Sequence, residues 1–222
     1  MSQLDNEIKQ VREEVISMWK MVRSQLEKGF SSLLNFDKDL AHEVVMIENR
    51  VNAVELKIDR DCEDIFALYC PVAVDLRFLL AVLKINTNLE RTGDIAEGIA
   101  KLILDTTAPF KHELLKATKV VEMYNEALLI ISEIQSAFEK EDSSIARSIF
   151  KRDEMLDKIN REANNLIVNY VKDHPEDIAP ALNLLSIIRR LERVGDQAEN
   201  IAEEIIFYIE AKVLRHVNKK DS

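Results

Sequence analysis

The segment LERTGDIAEGIA at residues 89–100 returns as LERVGDQAENIA at residues 191–202, with nine of twelve positions identical and a constant spacing of 102 residues. A chain that carries the same long segment twice folds as two related units, and the match runs on upstream. Asp75, Leu80, Leu83 and Ile85 precede Asp177, Leu182, Leu185 and Ile187 by the same 102 residues. Ala41, Val51 and Ile58 fall on Ala146, Leu156 and Ala163 at an offset of 105, as a three-residue change in one turn would give. The expected units are residues 1–107 and 108–222, with the seam near 106–111.

Each unit reads as three long helices. Four glycines and four prolines are very little punctuation for 222 residues, and the 47% hydrophobic content suffices for a sizeable core. Pro71, Pro109, Pro175 and Pro180 fall between long apolar patterns, as residues that cannot continue a helix should. The predicted helices are 3–29 (ending at Gly29), 37–69, 72–105, 111–139, 143–173 and 177–213, the last followed by a basic tail. No stretch alternates apolar and polar residues between turn signals, so no sheet is expected. The expectation is an all-α fold of six long helices, arranged as two pseudo-symmetric antiparallel three-helix bundles.

The formal net charge of −10 opposes nucleic acid and anionic lipid as general partners. No apolar run approaches the ~18 residues of a membrane span, and the start, MSQLDNEIKQ, lacks the apolar stretch of a secretory signal. Cys62 and Cys70 form no CxxC pair, which suits reduced thiols in a cytoplasmic protein. His42, His112, His174 and His216 are scattered, so no zinc site built on histidine and cysteine is expected.

Within the predicted third helix, Ile85, Leu89, Thr92, Ala96, Ile99 and Ile103 fall in one apolar arc roughly 80° wide. The sixth helix repeats it with Ile187, Leu191, Val194, Ala198, Ile201 and Ile205. The acids lie about 150° away from the centre of that arc. Glu90, Asp94 and Glu97 form one row at i, i+4 and i+7, and Glu192, Asp196 and Glu199 form another that Glu203 continues. The second helix offers Glu48, Asn52, Glu55 and Asp59, and the fifth offers Asp153, Asp157, Asn160 and Asn164 at the same spacings. Two readings stand. Such rows are commonly solvated charged faces, with neighbouring arginines pairing at about 0–1 kcal/mol each. Yet like charges at i, i+4 destabilise a helix by roughly 0.2–0.5 kcal/mol, and an interior glycine costs about 1 kcal/mol against alanine. Both costs occur in both units, at Gly93 and Gly195. A hard cation (Mg²⁺, Ca²⁺, Mn²⁺ or Fe³⁺) held by carboxylate and amide oxygens would offset them, with each glycine giving room for close approach. A carboxylate-bridged di-iron enzyme is a poorer fit, because such centres use Glu-x-x-His motifs in the bundle core and this chain has none.

The paired LERTGDIAEGIA and LERVGDQAENIAE, with DLRFLLAVLKINTNLER and VNAVELKID upstream, resemble the twice-occurring signature of the PhoU family of phosphate-uptake and phosphate-signalling regulators. The resemblance spans residues 5 to 212 and implies two three-helix bundles related by pseudo-symmetry. It implies a cytoplasmic homodimer that is not an enzyme. Such a protein would negatively regulate phosphate uptake and starvation signalling, linking a phosphate ABC transporter to a sensor histidine kinase at the inner face of the membrane. It further implies metal, in multinuclear iron or zinc clusters, on surface (E/D)xxxD pairs. By position these are Glu55 with Asp59 and Glu90 with Asp94 in the first unit, and Asp153 with Asp157 and Glu192 with Asp196 in the second. Glu97 and Glu199 extend the rows. The units are not equally acidic: Asn160 and Asn164 stand where the first has Glu55 and Asp59, and Asn52 stands where the second has Asp157. A single cation site in the first unit is the stronger expectation.

Overall fold

The computed structural model describes residues 2–214, and among these all regular structure is helical. The elements are α1 (Gln3–Asn35), α2 (Lys38–Tyr69), α3 (Ala73–Asp105), α4 (His112–Thr118), α5 (Val120–Lys140), α6 (Ser143–Asp173) and α7 (Ile178–Glu210), with a 3₁₀ turn at Pro175–Asp177. Helices α1, α2 and α3 pack against one another as one unit. In the second unit α4 and α5 together take the place of α1, against α6 and α7.

Aspartates set matching turns in the two units. Asp37 opens α2 by accepting from the N–H groups of Asp39 and Leu40 at 3.0 and 3.1 Å. Asp142, 105 residues later, opens α6 by accepting from Ser144 and Ile145 at 2.8 and 3.3 Å. A side-chain acceptor at this position satisfies donors that have no helical partner and is worth about 1 kcal/mol. The residue before each aspartate, Phe36 or Glu141, takes left-handed backbone with φ of 55° and 53°. An offset of 105 therefore relates α1–α2 to α5–α6, and it pairs Trp19 with Tyr124 and Gln25 with Ile130.

Three boundaries depart from expectation. Helix α1 continues through Gly29 to Asn35. Gly29 is an interior contact, since a Cβ there would stand 2.7 Å from the Tyr124 hydroxyl on α5. The predicted helix 111–139 is broken at Lys119, whose φ is 58°. The Thr118 hydroxyl donates to the Leu114 and Leu115 carbonyls at 2.9 and 3.1 Å, and Lys119 pairs with Glu162 at 2.9 Å. No glycine or proline marks that break; only the β-branched Thr118, Val120 and Val121 weaken the helix there. Helix α7 ends at Glu210 and takes Pro180 into its first turn, where a missing N–H forfeits no helical bond. The predicted basic tail lies outside the described residues.

The twelve residues of the two apolar arcs are all buried. They bring α3 and α7 together as the antiparallel centre of the molecule. Lys84 of α3 meets Glu204 of α7 at 3.0 Å near one end. Toward the other end Arg190 lies across Gly98, where a Cβ would come within 2.5 Å of the guanidinium. Trp19 packs on Phe138 with ring centroids 5.7 Å apart, and Phe30 on Tyr124 at 4.8 Å, tying α1 to α5. This continuous core fixes how far α2 and α3, or α6 and α7, slide along each other, and so sets the depth of every acid between them.

Candidate metal centre

Gly93 explains how the first acidic row is built. Its missing side chain leaves a notch in α3, and the carboxylate of Glu48 on α2 lies in it. A Cβ at residue 93 would stand 2.6 Å from Glu48 Oε2 and 3.1 Å from Gln25 Oε1. Glu48 is 3% exposed. The Gln25 amide on α1 donates to Glu48 Oε2 at 2.7 Å and to the Val44 carbonyl at 3.4 Å. Glu48 Oε1 and Gln25 Oε1 are both buried without a hydrogen-bond partner. Two buried acceptors without a donor are costly, at about 1–3 kcal/mol each. Above them stand Glu90 and Asp94, and single oxygens of Glu48, Glu90 and Asp94 lie within 4.8 Å of one another. Two carboxylate charges at that distance repel by about 3 kcal/mol at an effective dielectric of about 20.

The crowding shows in the acidities. Burial pushes Glu48 up to about 7; the Gln25 hydrogen bond opposes the rise, and the charges of Asp94, Glu90 and Glu97 add to it. Burial also raises Glu90, helped by Asp94 and Glu55 and opposed by Arg91. Glu55 is raised by burial and by the charges of Asp59 and Asp94. Asn86 of α3 donates to the Glu55 carbonyl at 2.9 Å and to Asp59 Oδ1 at 2.8 Å, which holds this pair beside the row. At the far end Glu97 is engaged by Lys101 at 2.6 Å. The α2–α3 face thus gathers Glu48, Glu90 and Asp94, with Glu55 and Asp59 alongside and Glu97 largely satisfied by its lysine.

The second unit repeats the notch with a shorter acid. Asp153 of α6 is 1% exposed beneath Gly195, where a Cβ would overlap its Oδ1 and come within 2.8 Å of Leu156 Cδ1. Burial raises Glu192, with Asp196 and Asp157 adding to the rise and the Asn160 amide and Arg193 opposing it. Asp157 also faces Arg161 at 3.3 Å. Among the described residues, no three carboxylates of this unit converge as Glu48, Glu90 and Asp94 do.

Both rows differ from the expected surface stripes. Asp153 lies in the interior, Glu55, Asp59, Glu90, Glu97, Asp157, Glu192 and Glu199 are half-buried, and Asp94 and Asp196 are exposed. The cause is the glycine notch, which lets the facing helix approach closely enough to cover its own acid. Glu48, the first acid of the second helix's row, is the site residue missing from the (E/D)xxxD pairs that the resemblance implies. The 105 offset that pairs it with Asp153 was the available signal. His174, Glu176 and Asp177 also cluster, at the turn before α7. There Asp177 accepts from Tyr170 at 2.9 Å and pairs with Lys111 at 2.8 Å, so the cluster reads as a latch for the α6–α7 turn.

The donors around Gly93 fit a hard cation. They are carboxylate oxygens only, with Glu48 Oε1 buried without a hydrogen-bond partner, beside a notch that a Cβ would fill. Nitrogen and sulfur ligands, which zinc prefers, are absent from this cluster among the described residues.

The sequence profile of the PhoU domain matches residues 15–103 and 120–205 of the chain. The phosphate-specific transport system accessory protein PhoU of Edwardsiella tarda is 30% identical over 219 residues, covering 99% of this chain and 89% of the relative. The PhoU homolog of Pseudomonas aeruginosa, likewise named as an accessory protein of phosphate-specific transport, is 31% identical over 221 residues, covering 97% and 88%. The crystal structure of PhoU from Pseudomonas aeruginosa superposes with a TM-score of 0.85 at 29% identity, covering 95% of this chain and 100% of that one. The phosphate transport system regulatory protein PhoU from Streptococcus pneumoniae also gives 0.85, at 27% identity, covering 95% and 99%. With both halves matched by the same domain and the whole fold shared with solved members, the chain belongs to the PhoU family.

Proposed function

We propose that this protein is a regulatory accessory component of phosphate-specific transport and not an enzyme. It restrains uptake and starvation signalling when phosphate is ample, by linking a phosphate ABC transporter to a sensor histidine kinase. The observation that carries this reading is the match of both halves to the PhoU domain, joined to near-full-length relatives named as phosphate-transport accessory proteins. In this reading it works in the cytoplasm at the inner face of the membrane, as a homodimer. No helix among the described residues is long and apolar enough to cross a membrane.

A cation on the first acidic face belongs to the same proposal. Glu48, Glu90 and Asp94 would hold it, with Glu55 and Asp59 beside them, and it would supply positive charge where three carboxylates converge. The donor set suits Mg²⁺, Mn²⁺, Ca²⁺ or iron better than zinc. Deleting the gene should leave phosphate-starvation genes expressed in phosphate-replete cells, and re-expression should silence them. Affinity capture of the tagged protein from those cells should recover transporter subunits and a histidine kinase. Normal repression in the deletion strain would overturn the regulatory reading.

A further inference from the structure

The two units hold their buried acids differently, and the difference lies in α1 and α5. Glu48 has a partner from α1: the Gln25 amide fixes Oε2 at 2.7 Å. That hydrogen bond fixes one oxygen of a carboxylate that also forms a group with Glu90 and Asp94, while its Oε1 stays buried without a hydrogen-bond partner. Gln25 is itself fully buried, and its second amide contact to the Val44 carbonyl ties it to the helix that carries Glu48. At the corresponding place in the second unit stands Ile130, equally buried, which has no amide to offer. The acid there, Asp153, is one methylene shorter, and the oxygens of Glu192 and Asp196 do not close around it.

We propose that Gln25 is a positioning residue of the cation site: it aims Glu48 through the Gly93 notch so that one ion is shared with Glu90 and Asp94, and the second unit, with Ile130 and Asp153, builds no such pocket. This rests on the reading of the first acidic face as a cation site. It goes beyond that reading by assigning a role to a residue that touches no ion and by limiting the chain to one such pocket. Residues that orient a metal ligand from behind change affinity by about 10- to 100-fold when removed, and Gln25 belongs in that range. It should act on affinity without acting on the fold, because a side chain of similar volume fills the same space.

The test is titration of the chelator-stripped full-length protein with Mn²⁺, followed by calorimetry and by the electron paramagnetic resonance signal of the free ion. The wild type is expected to take up one tight Mn²⁺ per chain. Q25M, which keeps the volume and removes the amide, is expected to weaken that binding about 10- to 100-fold while its melting temperature in chelator stays at the wild-type value. Should Q25M fail to fold, Q25N keeps a polar group but falls short of Glu48, and the same loss is expected of it. Two equivalent tight sites per chain, or an unchanged Mn²⁺ affinity in a folded Gln25 variant, would overturn the proposal and leave the cation reading standing. So would a weakened affinity that is matched by a lower melting temperature in chelator, since that shows a structural role. No Mn²⁺ uptake by the wild type would remove both.

Discussion

The two units share a backbone plan and a nine-residue identity, yet they treat one buried carboxylate in opposite ways. In the first, Glu48 is long enough to pass through the notch at Gly93 and meet Glu90 and Asp94, with Gln25 behind it. In the second, Asp153 fills the notch at Gly195 so tightly that a Cβ would overlap it, and an isoleucine stands behind. The surroundings follow suit. Asn86, which holds Asp59 in the first unit, has Ile188 as its counterpart, and the partners of Glu55 and Asp59 are Asn160 and Asn164. A backbone feature common to both units, the helical glycine, therefore admits a longer acid that reaches two others in one unit and a tightly packed shorter acid in the other.

The largest expected effect separates the units by pH. In chelator, the Glu48 carboxyl titrates near 7 in the folded protein, against an ordinary value of 4.5. Between those values the native state holds a proton that the unfolded chain has released. The stability this group supports is thus fully present below about 4.5 and is lost as pH rises through about 7. At about 1.4 kcal/mol per pH unit the charged form costs roughly 3 kcal/mol at high pH. E48Q, which keeps the Gln25 contact without the charge, should be more stable than wild type by up to that amount at pH 8 and nearly equal to it at pH 4. Urea unfolding of both proteins across this range checks the difference; a gap that does not widen with pH would show that Glu48 is not held protonated.

Next in size is the packing role of the second notch. G195A places a methyl against Asp153 Oδ1 and Leu156 Cδ1, two atoms with little room to move. Overpacking of this kind costs about 1–3 kcal/mol, more than the roughly 1 kcal/mol that alanine gains over glycine in a helix. G93A meets the end of a longer side chain, Glu48, which can withdraw. Its expected stability change is smaller, and its expected effect is on ion affinity. In a D153A background most of the cost of G195A should vanish, since only the Leu156 Cδ1 contact at 2.8 Å then remains. Chemical denaturation of the four members of this cycle reads the coupling directly.

Much of this architecture was legible in the sequence because it repeats with the helical period. The apolar arcs, the acidic rows at i, i+4 and i+7, and the shortage of acids in the second unit were all readable from spacing. Depth was not. Whether Glu48 or Asp153 faces water depends on how closely α2 approaches α3, and α6 approaches α7, and a glycine's contribution to that approach is set by the partner helix. Gln25 lies 68 residues from Gly93, and only the packing of α1 into the groove between α2 and α3 brings them together. The break at Lys119 was hidden for a different reason: it is held by a hydroxyl returning to its own helix and by an ion pair with Glu162, neither of which leaves a glycine or proline as a mark. Gly29 misled in the opposite direction, as an apparent helix end that is a contact with Tyr124.

The smallest expected effect concerns the ends of the rows. Lys101 sits one turn after Glu97 and pairs with it at 2.6 Å, whereas the corresponding place after Glu199 carries Glu203. K101E makes the first row copy the second. Lys101 is well exposed, so the lost pair is worth about 0–1 kcal/mol, and the new like-charge neighbour adds roughly 0.2–0.5 kcal/mol. Both contributions are screened by salt, so the destabilisation should shrink markedly between about 0.01 and 1 M ionic strength, where the screening length falls from about 30 to 3 Å. The same substitution releases Glu97 and adds negative charge at the end of the first row, so Mn²⁺ affinity should rise modestly even as stability falls. A K101E protein whose stability loss is insensitive to salt would show that Lys101 acts by packing its aliphatic stem. An unchanged ion affinity would show that Glu97 lies too far along α3 to bear on the cluster of Glu48, Glu90 and Asp94.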